Sequence, residues 1–254
     1  MGSPNYDCDG FLMSGHSKWS TIKRKKGALD QKRGKIFSTI SKEITVSSRI
    51  GGKDIDSNPR LRQAIKKAKS LNMPNTNIDK AIKKGVGELD NIIIEEVSYE
   101  GYGPYGVAVI VEAITDNKNR TVADVRHALS KFGGSLGQSG SVSWNFERNG
   151  IVLIDKNQIA EDKIFEFSID NDCIEFLIDE DFYKLYFHAN NLYDRIDKLE
   201  KINIQIDSSY LAFIPKDLIN LSSSEYDIFE KFLDFIEGLE DVQNVFSNHN
   251  FGEL

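Results

Sequence analysis

Four consecutive cations, Lys23, Arg24, Lys25 and Lys26, are the residues of this chain best suited to chemistry with a partner. On a helix four neighbours cannot share one narrow stripe, so their charges wrap most of a turn. Lys18, Lys32, Arg33 and Lys35 flank them, and Arg60 and Arg62 form a second edge. Ammonium and guanidinium groups at this density neutralise phosphates and release their counterions. These ten side chains are the candidate nucleic-acid contacts. Trp19, the aromatic nearest the first cluster, either stacks on a base or anchors its helix to the next.

Charge is divided sharply along the chain. Residues 16–87 hold 19 Lys/Arg against 5 Asp/Glu, and residues 88–254 hold 13 against 32, which the formal net charge of −7 conceals. Solvated helices usually mix signs to gain i,i+4 pairs. An excess of one sign repels itself, and phosphate neutralisation gives it a purpose. The basic part can grip a polyanion that the acidic part repels.

Other chemistries find little support. The four histidines, His16, His127, His188 and His249, show no metal-ligand spacing, and the two cysteines, Cys8 and Cys173, make no thiolate cluster. Gly34-Lys35 follows nothing resembling a P-loop, and no G-x-S-x-G elbow is present. Gly101, Gly103 and Gly106 satisfy G-x-G-x-x-G, but a β-branched run follows and Pro104 interrupts, so the segment reads as a hairpin connection. His127, beside Arg126, reads as a surface or interdomain contact. We expect no enzyme, no cofactor and no metal. No apolar run approaches the ~20 residues that span a bilayer, no signal peptide is visible, and a reducing, cytoplasmic setting is expected.

The elements that must position the cations are helical. Trp19 to Gln31 and Arg33 to Arg49 read as helices, the second burying Ile36, Phe37, Ile40 and Ile44 and stopping at Gly51-Gly52. Asn58 is an N-cap and Pro59 the first residue of a third helix, with Leu61, Ala64, Ile65, Ala68 and Leu71 inward. After Pro74 a fourth carries Ile78, Ala81 and Ile82 and closes at Gly85. From Ile92 the period changes to two. Strands are expected at 92–99, 107–113 and 141–146, with a turn at 116–120 and a helix at 121–132. Then come strand 151–154, helix 158–167, strands 173–178 and 182–187, helix 189–199 and strand 203–206, the βαββαβ order of a ferredoxin-like unit. Strand 211–214, helix 224–236 and strand 242–246 close the chain.

The expected class is therefore α+β: an N-terminal helical domain followed by two ferredoxin-like α+β sheet domains, one inserted in the other. Residues 1–12 read as a leader, 13–90 as the basic helical domain, 91–148 with 208–254 as one α+β domain, and 149–207 as the insertion. No heptads support self-association, so a monomer is expected.

Several segments carry a resemblance: Gly15-His-Ser-Lys-Trp19, Lys32-Arg-Gly-Lys-Ile-Phe37, Asn58-Pro-Arg-Leu-Arg62, Tyr99-Glu-Gly-Tyr-Gly-Pro104, Asp116-Asn-Lys-Asn-Arg-Thr-Val122 and Gly134 to Val142. In this order they resemble the signature segments of the YebC/PmpR family, and Val242-Gln-Asn-Val-Phe246 also fits. Tyr105 departs from the pattern, standing where the family commonly has a second glycine. The resemblance implies three domains and a role in gene expression. Bacterial members are described as DNA-binding transcriptional regulators, similar mitochondrial proteins are translational activators, and bacterial members are also connected with ribosomes.

Two readings follow. The chain is a transcriptional regulator gripping duplex DNA, or a ribosome-associated translation factor binding rRNA through the basic module. A third makes the basic module an electrostatic handle and the body a protein-interaction platform.

Overall fold

The structure is a computed structural model that describes residues 29–89 and 94–251. Side chains of residues 29–33 and of Phe251 are outside the description. The class is α+β: an N-terminal helical region, then two sheet-containing parts, one inserted in the other.

Among the described residues three helices form the first part: α1 (Leu29–Gly51), α2 (Pro59–Ser70) and α3 (Asn75–Gly85). The expected helix at Trp19–Gln31 lies outside the described residues except its last three positions, which belong to α1. No break separates them from the next expected helix, because α1 runs straight through Gly34. Ile40, Ile44, Leu61, Ala64, Ile65, Ala68, Met73, Ile78 and Ala81 make the small core, with Phe37 and Ile82 half-buried against it. Ile36 and Leu71 were expected inward and are exposed. Ile36 falls on the outer side of α1, and the α2 helix ends at Ser70 before Leu71 can continue its stripe.

The start of α2 is as read. Asn58 Oδ1 accepts from the Leu61 N–H at 3.1 Å, and Pro59 stands at the first helical position. The Asn58 amide also donates to the carbonyls of Ser47 and Gly52, each at 2.8 Å, so one side chain caps α2 and fastens the end of α1.

Contact density divides the chain into two compact units, residues 146–216 and the remainder. In the larger unit β1 (Glu95–Tyr102) and β2 (Ala108–Thr115) pair antiparallel around a short turn, as the hairpin reading of the glycine motif requires. With β3 (Ser135–Leu136) and β9 (Val242–Ser247) they form a sheet of order β3-β1-β2-β9. The helices α4 (Lys118–Lys131) and α7 (Ser223–Glu237) cover one face, where Val107, Val109 and Val111 meet Val125, Leu129, Phe229, Phe232 and Ile236. On the other face Ile114 packs with Ile94 and with Val46 of α1, so β2 is buried on both sides and its sequence is nearly all apolar. Strands β8 (Ile219–Leu221) and β10 (His249–Phe251) pair in parallel.

The expected strand at 141–146 is not formed. Ser143–Asn145 is a single 3-10 turn, and one long strand, β4 (Phe146–Asp155), absorbs the separate strand expected at 151–154. The expected turn at 116–120 is the first turn of α4, capped by Asn117 Oδ1 accepting from the Arg120 N–H.

The smaller unit runs β4, α5 (Glu161–Asp170), β5 (Glu175–Ile178), β6 (Phe182–His188), α6 (Leu192–Lys201) and β7 (Ser208–Pro215). Its sheet order, β5-β6-β4-β7 with every pair antiparallel, is the ferredoxin-like arrangement. Val152, Ile154, Leu185 and Phe187 face Ile164, Leu192, Ile196 and Leu199 of the helices. Residues 203–206, expected as a strand, have none, though Ile204 and Ile206 are buried there; the unit's fourth strand is β7, which contains the strand expected at 211–214 and pairs with β4 in this unit rather than belonging to the other domain. The alternation of Asn203–Ile206 marks burial on one side without a neighbouring strand to pair.

Candidate nucleic-acid interface

The inward stripe of α2 decides where its cations stand. With Leu61, Ala64, Ile65 and Ala68 buried, Arg62, Lys66 and Lys69 recur at spacings of four and three along one outer flank. On α3, Ile78 and Ala81 face in, leaving Lys80 and Lys83 exposed and Lys84 half-exposed. No carboxylate occurs between Asp56 and Asp79, so α2 carries five cations unrelieved by any acid of its own.

The expected contact residues fall into three groups. Lys18, Lys23, Arg24, Lys25 and Lys26 lie outside the described residues, and Lys32 and Arg33 are on α1 with side chains outside the description. Lys35 is half-buried and donates to the Leu239 carbonyl at 2.9 Å; burial lowers its pKa, with Glu237 opposing. Arg60 and Arg62 sit on opposite flanks of α2. The Arg60 guanidinium is enclosed by two carboxylates, with Nε donating to Glu43 at 2.7 Å and Nη2 to Glu96. Burial works against its charge, but those two partners raise the pKa further above its ordinary value. Arg60 thus ties α1, α2 and β1 together, while Arg62 donates to the carbonyls of Ile55 and Asp56 at 3.1 Å.

The signature segments meet in space at two locks. The first is Asp241, 4% exposed. Its Oδ1 accepts from Lys42 Nζ at 2.7 Å; its Oδ2 accepts from Arg120 at 2.8 Å, Thr121 at 2.7 Å and Thr115 at 3.1 Å. Burial would raise the carboxyl pKa, yet the hydrogen bonds from Lys42, Arg120 and Thr121 outweigh it and hold it down at about 2. The segment Asp116–Val122 therefore positions Arg120 and Thr121 on a buried carboxylate.

The second lock is Glu100. Its carboxylate accepts the backbone N–H groups of Gly140 (2.8 Å), Val142 (2.9 Å) and Ser143 (2.9 Å). Desolvation is the largest influence and raises its pKa, but these amides win and lower it. Two glycines allow the close crossing beneath: a Cβ on Gly101 would lie 2.5 Å from the Ser135 carbonyl oxygen, and one on Gly134 would run into the Tyr102 carbonyl. Sequence reasoning assigned no role to Asp241, Glu100 or Trp144. The motif segments that contain or adjoin them were visible, but the partners of Glu100 are 40 to 43 positions away and those of Asp241 are 120 to 199 away.

No arrangement for catalysis emerges among the described residues. Ser247 Oγ and His249 Nδ1 lie 2.7 Å apart, yet both are buried, and burial against Phe229 pushes the imidazole pKa down to about 4. His127 is exposed and meets the edge of Phe235, a surface contact. The Cys173 thiol donates to the Glu175 carbonyl, and burial raises its pKa. Among the described residues no His/Cys/Asp/Glu group could hold a metal ion, and no helix is long and apolar enough to cross a membrane.

A basic helical segment locked onto an α+β body that carries a ferredoxin-like insertion defines the class of protein. Residues 17–88 match the TACO1/YebC protein N-terminal domain, and residues 94–249 match the TACO1/YebC second and third domain. The chain belongs to the TACO1/YebC family. It is 48% identical to a probable transcriptional regulatory protein of Syntrophus aciditrophicus, over 93% of this chain and 95% of that one. It is 45% identical to a protein of the same description from Thermoanaerobacter pseudethanolicus, over 93% and 96%. The crystal structure of a conserved hypothetical protein from Aquifex aeolicus superimposes with a TM-score of 0.81 at 41% identity, covering 94% of this chain and 98% of that one.

Proposed function

We propose that this protein is a non-enzymatic transcriptional regulator that binds DNA through its basic helical segment. The observation that carries this is the excess of 19 Lys/Arg over 5 Asp/Glu in residues 16–87, set against an acidic remainder. The names borne by its relatives, probable transcriptional regulatory proteins, agree with it. The contact comprises Lys18, Lys23, Arg24, Lys25, Lys26, Lys32, Arg33 and Lys35, extended by the exposed Lys66, Lys69, Lys80 and Lys83. Arg60 belongs to the scaffold that presents them, and Arg62 lines the rim. Each phosphate neutralised contributes roughly 0.9 to the slope of log K against log salt.

The test is fluorescence anisotropy with duplex DNA across a salt series. Changing Lys23, Arg24, Lys25 and Lys26 all to Glu should abolish binding while the unfolding midpoint holds. Changing Lys66, Lys69, Lys80 and Lys83 to Gln should flatten the salt slope. Affinity unchanged within a few-fold in the first variant would overturn the assignment of the contact.

A further inference from the structure

Tyr102 and Trp144 bring their polar ends to one backbone oxygen. The Tyr102 hydroxyl donates to the Ser141 carbonyl at 3.3 Å, and the Trp144 indole N–H donates to the same atom at 3.0 Å. Both rings nevertheless face solvent, and Trp144 is 64% exposed. The indole is thus fixed by its nitrogen while its faces remain available.

The base on which these rings stand is built to hold still. Glu100 gathers three amides of the loop, including that of Ser143 beside Trp144. Gly134 and Gly101 let the loop backbone cross β1 at a distance that no side chain would tolerate. A preorganised aromatic surface loses little entropy when a flat ligand stacks on it.

Its electrostatic setting is unusual for this chain. Residues 88–254 contain 32 carboxylates, yet none lies between Gly101 and Val111 or between Phe132 and Phe146, and neither stretch holds a cation. Glu100 is turned into the loop and engaged by its amides. Within these two segments no side chain carries a charge that would repel or grip a phosphate. What the surface offers is ring faces with amide and hydroxyl groups around them, which suits a base and not a backbone.

We propose that Tyr102 and Trp144 form a stacking platform for an unpaired nucleobase, a second nucleic-acid contact carried by the α+β body. This rests on the nucleic-acid reading above and deepens it: the ligand has an unpaired base as well as a backbone for the lysines.

Trp19 and Trp144 are the two tryptophans of the chain, so W19F leaves Trp144 as its single indole reporter. The probes are a DNA duplex with a short unpaired bubble, the same duplex fully paired, and a single-stranded RNA of the bubble sequence. Indole emission should be quenched by the bubble or the RNA and not by the paired duplex. Which of the two quenches distinguishes DNA from RNA as the source of the base. W144A should weaken binding of the unpaired probe about tenfold, with the salt slope unchanged, because stacking releases no counterions. W144F should recover part of the loss, and an unchanged unfolding midpoint excludes a folding defect. If the unpaired probes bind, yet emission stays constant and W144A keeps full affinity, the platform is overturned and the nucleic-acid reading stands. If no probe binds at near-physiological salt, both fall.

Discussion

Lys42 Nζ lies 2.7 Å from Asp241 Oδ1, joining α1 of the basic segment to the residue that leads into β9 of the acidic body. The carboxylate is shared with Arg120, Thr121 and Thr115, so a single buried acid closes contacts among α1, α4 and β2. Because Asp241 is ionised in the folded state down to about pH 2, against an ordinary value of 3.8, protonation favours unfolding. The stability it supplies is complete above about pH 4 and is lost as pH falls towards 2, worth about 2 kcal/mol. Asp241→Asn should destabilise the protein by about 3 kcal/mol at neutral pH, since it leaves Lys42 and Arg120 facing a neutral group. Urea unfolding at several pH values checks this, and the variant should lose the wild type's decline in that acid window.

His249 titrates in a different window. Its folded pKa is lowered to about 4 from an ordinary 6.5, so the unfolded chain takes up a proton first. Stability from keeping the ring neutral is present above about pH 6.5 and declines as pH falls to 4, by about 3 kcal/mol in all. His249→Gln should be less stable at pH 7 but flatter between those limits. Thermal unfolding across that range would contradict the assignment if wild type and variant declined in parallel.

Removing the Glu100 carboxylate should free the glycine-rich loop without unfolding the body. Glu100→Ala leaves the amides of Gly140, Val142 and Ser143 to water, costing about 2 kcal/mol. Hydrogen exchange at those three positions should speed up while that of β2 stays protected. Uniform acceleration throughout the sheet would show that Glu100 supports the whole domain instead.

Tyr105 at the hairpin tip holds φ 63° and ψ 18°, a left-handed conformation that costs a side chain about 1 kcal/mol or more. It is the position where the resemblance leads one to expect glycine. Tyr105→Gly should therefore raise stability by up to about 1 kcal/mol, less the entropy glycine adds to the unfolded chain. A drop in the denaturation midpoint would mean that the exposed ring makes a contact worth more than the strain.

Much of this architecture is legible in residue order because its causes are local. Asn58-Pro59 starts a helix through groups three residues away, and the β-branched run after Gly106 excludes a phosphate-binding helix. The βαββαβ order was legible over residues 151–206, although its last strand is β7 and not 203–206, and the split in charge is plain arithmetic. The errors also have local causes. Ser141–Asn145 alternates like a strand but is bent into a turn, with the amides of Val142 and Ser143 drawn to Glu100, some forty residues earlier. Residues 203–206 bury their isoleucines where no strand lies alongside.

The sequence by itself determined that a cationic helical segment precedes an acidic α+β body, since charge, periodicity and capping act within a few residues. Tertiary structure alone decided where each cation stands. Arg60 and Lys42 count equally in any tally of charge, yet the fold draws them in to Glu43, Glu96 and Asp241, while Lys66, Lys69, Lys80 and Lys83 are exposed. It also decided that Trp144 should stand pinned and uncovered beside Tyr102. A side chain's partners are set by where distant segments cross, and spacing along the chain does not record that crossing.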